Sequence, residues 1–528
     1  MDSTEKDQKT QTVGLLKNWL ESLGCEISPK VEYPALFNNQ LYGMIAKSEI
    51  GPKETLIRIK HDAIISTELL QNTELQVIFD AFPEFFSKAN PEGIDNQFLS
   101  LIIYEKSKGP TSKWALFFNT LPQTIDNLCD WDPNEVDELQ DIDLKSDYLL
   151  RKDKNIGSYH DLRRILNKYP EIFPNEISVY TIEWCWKIIW TRSFMRSPEH
   201  SALIPYADFI NHGPSNTGFY FADQKEEEVD EEIYYTEYDE MYTTDDILKI
   251  SCRDLYEINF SAIENVDDNI FELAKRILVE ADVIEKSLKD KKTKKSQGCD
   301  DINNSDLLIV TGDTETYAEG SQIIFEYGNY SNTSLLIHYG FIIPDNRFEY
   351  FRLKISLSKL LQPLQLKHLP HKYKKASFLI FYFGLNELSR DFLRTIRALL
   401  WTPNNRNTSF FSQSDLSLEK KVLLKYAEIL NNSLKSYPST IEQDQNLNPS
   451  SYRHNSALAY RIQKKQILKK QAQISISALK IIDKIQNKNP LSQEEQEICN
   501  KELKSYIDCV QYYYAKDQIP SQIMFNSS

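Results

Sequence analysis

FEYGNYSNTSLLIHYGF, residues 325–341, sets tyrosines and phenylalanines around Gly328 and Gly340 in a chain that has only 15 glycines among 528 residues. Glycine usually makes up about 7% of a sequence, so a chain this poor in it keeps one mainly where a side chain does not fit. The stretch follows directly on Gln322-Ile323-Ile324-Phe325, a short β-branched run that reads as a strand. A strand that ends in Tyr-Gly and turns into a second Tyr-Gly is ordinary by itself.

Working outward, two more short segments set polar residues beside aromatics: Thr191-Arg192-Ser193-Phe194-Met195-Arg196 and Ala207-Asp208-Phe209-Ile210-Asn211-His212. The first closes a helix predicted over about 178–196, bounded by Pro174 and Pro198, with Trp186, Trp190 and Phe194 on one face. The second lies in 200–222, a region of short extended runs and turns. Further upstream, VEYPALFNNQLYGMIAKSEIGPKETLIRI (31–59) alternates β-branched runs with turns near Gly43 and Gly51-Pro52, which predicts a small antiparallel unit. An arginine pair, an Asn-His turn or a Tyr-Gly end each has a structural explanation when taken singly. Their combination in this order, behind a glycine-containing strand unit, points to a shared site.

The remainder of the chain reads as α+β. Residues 70–198 carry mostly helical periodicity, while 223–315 form a surface insertion with an acidic cluster (DQKEEEVDEE), a predicted helix near 270–288 and a basic run, KDKKTKK. From 346 to 528 the pattern is helical, with Leu423, Ala427, Leu430 and Leu434 on one stripe and a second long helix over about 455–482. A net charge of −16 argues against a general nucleic-acid partner, whose phosphates call for clustered Lys and Arg. The acidic insertion suits a basic protein segment better. Seven dispersed cysteines with no C-x-x-C pair predict free thiols and no zinc site. P-loop, G-x-S-x-G, H-E-x-x-H and G-x-G-x-x-G motifs are absent, and no apolar run is long enough to span a membrane. The opening MDSTEKDQKTQ has neither a signal-peptide core nor transit-peptide composition, so the expected compartment is the cytoplasm or nucleus.

ADFINH, FEYGNYSN and HYGF, preceded by TRSF and YGMIA, resemble the SET-domain protein methyltransferases, specifically the branch containing Rubisco large-subunit lysine methyltransferase. The likeness covers about 31–222 and 316–510. Within it, SLKSYPSTIEQD and SALAYRIQKKQILKKQ are similar to that branch's helical substrate-binding domain. The resemblance implies a SET-type fold of small β-sheets with a helical insertion and a threaded C-terminal segment, followed by an all-α domain. The expected division is an N-terminal segment (1–30), a catalytic domain (31–345) and a helical domain (346–528). The implied activity is methyl transfer from S-adenosylmethionine to a lysine nitrogen of a protein substrate, with no metal.

The resemblance also assigns residues. Gln40, Leu41, Tyr42, Arg192, Asn211, His212 and Tyr327 match cofactor-binding positions, and Tyr327 and Tyr339 match the catalytic tyrosines. Arg192, Phe194, Arg196, Asp208, Tyr220 and Tyr339 match positions facing the substrate. One departure is Leu41, which stands where the family has the first glycine of G-x-G. Phe194 and Tyr339 follow the lysine-methylating pattern; the alternatives are histidine methylation, or a SET fold that binds without catalysis, for which Leu41 is the motive.

Overall fold

The computed structural model describes residues 3–37, 41–90, 92–197, 200–222, 305–356, 378–400, 416–503 and 506–507. The acidic cluster, KDKKTKK and the helix expected at 270–288 lie outside these residues. Among the described residues two units emerge: the first holds those up to Trp131, 148–222 and 305–343; the second holds Asp132–Asp147 and those from Pro344 onward.

The first unit is built on three small sheets. β1 (Glu26–Ile27), β4 (Thr55–Ile59), β10 (Leu307–Val310) and β9 (Gly218–Phe221) pair antiparallel in that order. β5 (Ile65–Ser66), β7 (His200–Leu203) and β6 (Ser193–Ser197) form another. The third has the order β2 (Val31–Phe37), β3 (Leu41–Ala46), β11 (Gln322–Phe325), β8 (Asn211–His212). Leu56, Ile57, Ile59, Leu307, Ile309, Met44 and Ile323 are buried, so the β-branched runs read in the sequence supply the core between the sheets. The Ser3–Ser22 helix adds Val13, Leu16 and Leu20 to it at helical spacing.

The helix expected over 178–196 is shorter. It spans Val179–Arg192, N-capped by the Ser178 hydroxyl, and its C-cap Ser193 is already extended. Residues 193–197 leave the helix to pair with β7, Phe194 opposite Ala202. Trp186 and Trp190 therefore stay on a helix while Phe194 sits on a strand; pairing with a later segment overrides the local helical pattern.

In the second unit the Leu416–Lys435 helix buries Leu423, Ala427 and Leu430, and the Tyr452–Gln486 helix is N-capped by Ser451. The α+β, SET-type expectation holds, with one addition to the helical region. β12 (Phe351–Ser356) and β13 (Phe378–Phe383) pair antiparallel, placing Leu353, Phe381 and Phe383 in the core with Phe392 and Tyr426. Buried charges are paired: Arg397 with Glu419, Lys464 with Glu349, and Asp444 with both Lys465 and Arg461.

Candidate active site

The third sheet of the first unit assembles the site. β8 pairs parallel to β11, Ile324 opposite Asn211 and Phe325 opposite His212, while β11 pairs antiparallel to β3, Ile323 opposite Met44. Three motifs far apart in the chain thus lie side by side. A single 3-10 turn, Ala207–Phe209, carries Asp208 inward before the chain extends into Asn211-His212. After β11, Ser331 caps the Asn332–Tyr339 helix by accepting the Ser334 N–H. That helix ends at Gly340 with φ +76°, where a Cβ would lie 1.9 Å from the Asp126 carbonyl oxygen, so only glycine fits. Asn332 then clasps Ile343 through both its amide groups, at 2.8 and 2.9 Å, and fixes the loop that carries Phe341 just beyond Tyr339 at the helix end.

Backbone and side chains interlock across these strands. The Asn211 Nδ2 donates to the Tyr42 carbonyl at 2.9 Å. The Tyr327 N–H donates to His212 Nδ1 at 2.9 Å, which assigns the ring proton to Nε2. Burial pushes His212 down to about 4, against a hydrogen bond donated to the Phe325 backbone carbonyl, so the imidazole is neutral at physiological pH. The Tyr327 hydroxyl donates to the Ile210 carbonyl at 2.8 Å, and burial raises it to about 12 although Arg192 opposes the rise. It stays protonated near neutrality and cannot serve there as a general base.

Arg192 leaves the end of its helix to donate Nη1 to both Asp208 Oδ2 (2.9 Å) and the Asp208 carbonyl (3.0 Å). Asp208 is buried, which raises its carboxyl despite Arg192; burial likewise disfavours the guanidinium charge, but Asp208 holds it above its ordinary value. Arg192 Nε, Asp208 Oδ1 and Gln322 Nε2 are buried without a hydrogen-bond partner. Such orphaned groups cost about 1–3 kcal/mol each and call for a polar ligand. Gln322, which sequence reasoning did not single out, points at Gly43: a Cβ there would lie 2.6 Å from Gln322 Nε2 and 2.7 Å from Asn211 Nδ2.

An aromatic wall continues from this cradle. Tyr327 lies 4.9 Å from His212, 5.0 Å from Phe325 and 5.4 Å from Tyr339, ring centre to ring centre. Tyr339 continues to Phe341 and Tyr330, each at 6.0 Å. Phe194 packs edge-on against Phe219 at 5.1 Å and stacks with Phe325 at 5.8 Å. Tyr220 is not part of this wall. Strand alternation turns its neighbour Phe219 inward and leaves Tyr220 43% exposed on the opposite face. Period-2 alternation across Gly218–Phe221 puts Phe219 and Tyr220 on opposite faces, and pairing in the sheet makes the face of Phe219 the inward one. Leu41 is 51% exposed, and the Asn211–Tyr42 hydrogen bond forms with it in place. Gln40 lies outside the described residues; Arg196 is placed on β6, with its side chain outside them.

Comparison with known proteins bears on both units. The crystal structure of the SET domain of LSMT bound to lysine and AdoHcy superposes with a TM-score of 0.57 at 17% identity, covering 94% of this chain and 98% of that one. The fold is the SET-domain fold. Rubisco LSMT bound to AdoMet gives a TM-score of 0.55 at 18% identity, covering 90% of this chain and 93% of its own. Residues 359–468 match the family model described as Rubisco LSMT substrate-binding. Among curated relatives, the chloroplastic [fructose-bisphosphate aldolase]-lysine N-methyltransferase of Arabidopsis thaliana is 26% identical over 40% of this chain and 42% of its own length. The chloroplastic ribulose-1,5 bisphosphate carboxylase/oxygenase large subunit N-methyltransferase of Nicotiana tabacum is 24% identical over 40% and 41%. Ribosomal lysine N-methyltransferase 3 of Saccharomyces cerevisiae is 26% identical over 31% and 28%. The chain thus spans less than half the length of the curated relatives it matches. These relatives also correct the expected compartment: the Arabidopsis, tobacco and pea proteins are chloroplastic, so the reading of a cytoplasmic or nuclear chain without an organelle address is withdrawn. Residues Ser3–Ser22, on whose opening composition that reading rested, belong to a helix that packs on the core through Val13, Leu16 and Leu20.

Proposed function

We propose that this chain is an S-adenosylmethionine-dependent methyltransferase acting on a lysine side-chain nitrogen of a protein substrate. The observation that carries the reading is the convergence of the Gly43 cradle, Asn211, neutral His212 and buried Tyr327 on one sheet, with unpartnered Arg192 Nε and Gln322 Nε2 beside them. These groups fit the cofactor: Asn211 and Arg192 suit its amino-acid end, the backbone at Tyr42 and His212 its remaining polar edges, and a neutral imidazole avoids repelling a sulfonium. Bound there, S-adenosylmethionine supplies a methyl group on positively charged sulfur, open to direct displacement by an amine.

The protein's own part is positioning and desolvation. Tyr327 and Tyr339, 5.4 Å apart, offer ring faces that attract a cationic amine and hydroxyl oxygens that can orient it once neutral. The protonated Tyr327 hydroxyl is tied to Ile210, so its lone pairs are directed by a fixed donor and the lysine proton departs to water rather than to this residue. Phe194, buried against Phe219 and Phe325, presents hydrocarbon suited to a lysine stem; an imidazole would find no hydrogen-bond partner on it. This favours lysine over histidine as the acceptor. The partner in this reading is a protein; the net charge of −16 gives nucleic acid no part in it.

Incubation of the purified chain with methyl-labelled S-adenosylmethionine and extract from cells lacking it should label a protein band, with methyl-lysine in its hydrolysate. Label confined to methylhistidine would overturn the Phe194 argument. Absence of cofactor binding at millimolar concentration would overturn the reading altogether.

A further inference from the structure

The second unit contains a groove of about 970 Å³, lined by the Leu416–Lys435 helix, the 437–442 segment and the Tyr452–Gln486 helix. Its apolar lining includes Leu434, Tyr437, Ile476 and Ile498. Its charge runs against that of the whole chain. Four lysines (435, 469, 470 and 480) line it against two acids, Glu442 and Glu502. Lys470 is ion-paired with Glu502, and Lys469 lies 3.8 Å from Glu442, both on exposed or half-buried groups. Lys435 and Lys480 are exposed and have no ion-pair partner among the described residues, so the groove carries a local excess of positive charge in a chain of net charge −16.

The groove wall is held in place before any partner arrives. The Ser439 hydroxyl donates to Asp444 at 2.6 Å, and Lys465, fully buried, donates to both Ser439 (3.0 Å) and Asp444. Arg461 closes the cluster on Asp444 at 3.0 Å. Thr440 then caps the Ile441–Gln445 turn reciprocally with Gln443. A wall fixed this way loses little freedom on binding, which is the condition for recognition by a shallow surface. Lys469, Gln473, Ser477 and Lys480 lie along one face of the Tyr452–Gln486 helix, forming a linear edge with a cation at each end.

We propose that this groove docks an acidic segment of the protein substrate, remote in sequence from the lysine that is methylated. An extended acidic peptide with an occasional apolar residue matches both the cationic rim and the hydrocarbon beneath it. The proposal rests on the methyltransferase reading for calling the partner a substrate; the groove's preference for acidic peptide stands separately.

The test uses the full chain without cofactor and follows the fluorescence anisotropy of a fluorescein-labelled oligoglutamate peptide at low salt, with labelled oligolysine as the opposite-charge probe. The expected result is saturable binding of oligoglutamate only, weakened about fivefold or more by the double substitution Lys435→Glu/Lys480→Glu. The equal-charge control Lys421→Glu/Lys425→Glu, outside the groove lining, should leave affinity within about twofold. Ser477→Trp, which fills the groove without changing charge, should also weaken binding. Absence of oligoglutamate binding, or equal losses in the groove and control variants, would overturn the proposal. Labelled-methyl transfer measured on the same preparations separates the two readings: transfer without peptide binding removes the groove alone, and peptide binding without transfer removes the catalytic assignment alone.

Discussion

Replacing Gly43 by alanine probes the cradle directly. The added Cβ would meet Gln322 Nε2 at 2.6 Å, Asn211 Nδ2 at 2.7 Å and Phe37 Cε2 at 3.2 Å, where ordinary contact begins near 3.4 Å, so both amide nitrogens must retreat by roughly 0.7–0.8 Å. A retreat of that size stretches the 2.9 Å bond from Asn211 to the Tyr42 carbonyl beyond useful length. Its loss costs about 1 kcal/mol, and crowding in a packed sheet about 1–3 kcal/mol more. Alanine recovers about 0.4–1 kcal/mol by restricting the unfolded chain, which leaves a net loss of about 1–3 kcal/mol. Because the displaced groups are those assigned to the cofactor, affinity for S-adenosylmethionine should fall about tenfold or more, equivalent to about 1.4 kcal/mol. Isothermal titration and thermal melting measure the two effects. Gly14→Ala is the internal control, since nothing lies within 4 Å of its Cβ on an exposed helix face, and it should stabilise by about 0.5–1 kcal/mol. If Gly43→Ala melts at or above the wild type and binds the cofactor equally, the cradle has been misread.

Tyr327→Phe keeps the ring and deletes the hydroxyl that donates to Ile210; methyl transfer should drop about 100-fold while cofactor affinity changes by less than about threefold, and an undiminished rate would remove the hydroxyl from the mechanism. His212, held near 4 when folded against 6.5 for the free group, takes up its proton only on unfolding at intermediate pH, so its contribution is present above about 6.5 and is lost as pH falls towards 4, by up to about 3 kcal/mol. The stability gap between wild type and His212→Gln in urea unfolding should therefore narrow from pH 7 to pH 4.5, and parallel curves would contradict the shift. Asp444→Ala leaves Lys465 buried without a carboxylate and Arg461 with Glu138 alone, and should destabilise the chain by about 3–5 kcal/mol in denaturant; a loss below about 1 kcal/mol would mean that water reaches the cluster.

The sequence alone carried the residue types and their order. Short β-branched runs between turns marked β3, β4 and β11, scarce glycines marked Gly43 and Gly340, and ADFINH with FEYGNYSN marked the segments that meet. Local rules suffice for these because propensity, capping and steric room act within a few residues. Pairing across long separations was beyond them. That β8 would lie parallel to β11, that Arg192 would end its helix to grip Asp208, and that residues 193–197 would leave the helix for β7 depend on contacts between segments that no periodicity links. The same holds for the wall. Composition offered several aromatic residues, but only the folded sheet turned Phe219 inward and Tyr220 outward and aimed Gln322 at Gly43, because a strand's faces acquire meaning only once neighbouring strands decide which of them is buried.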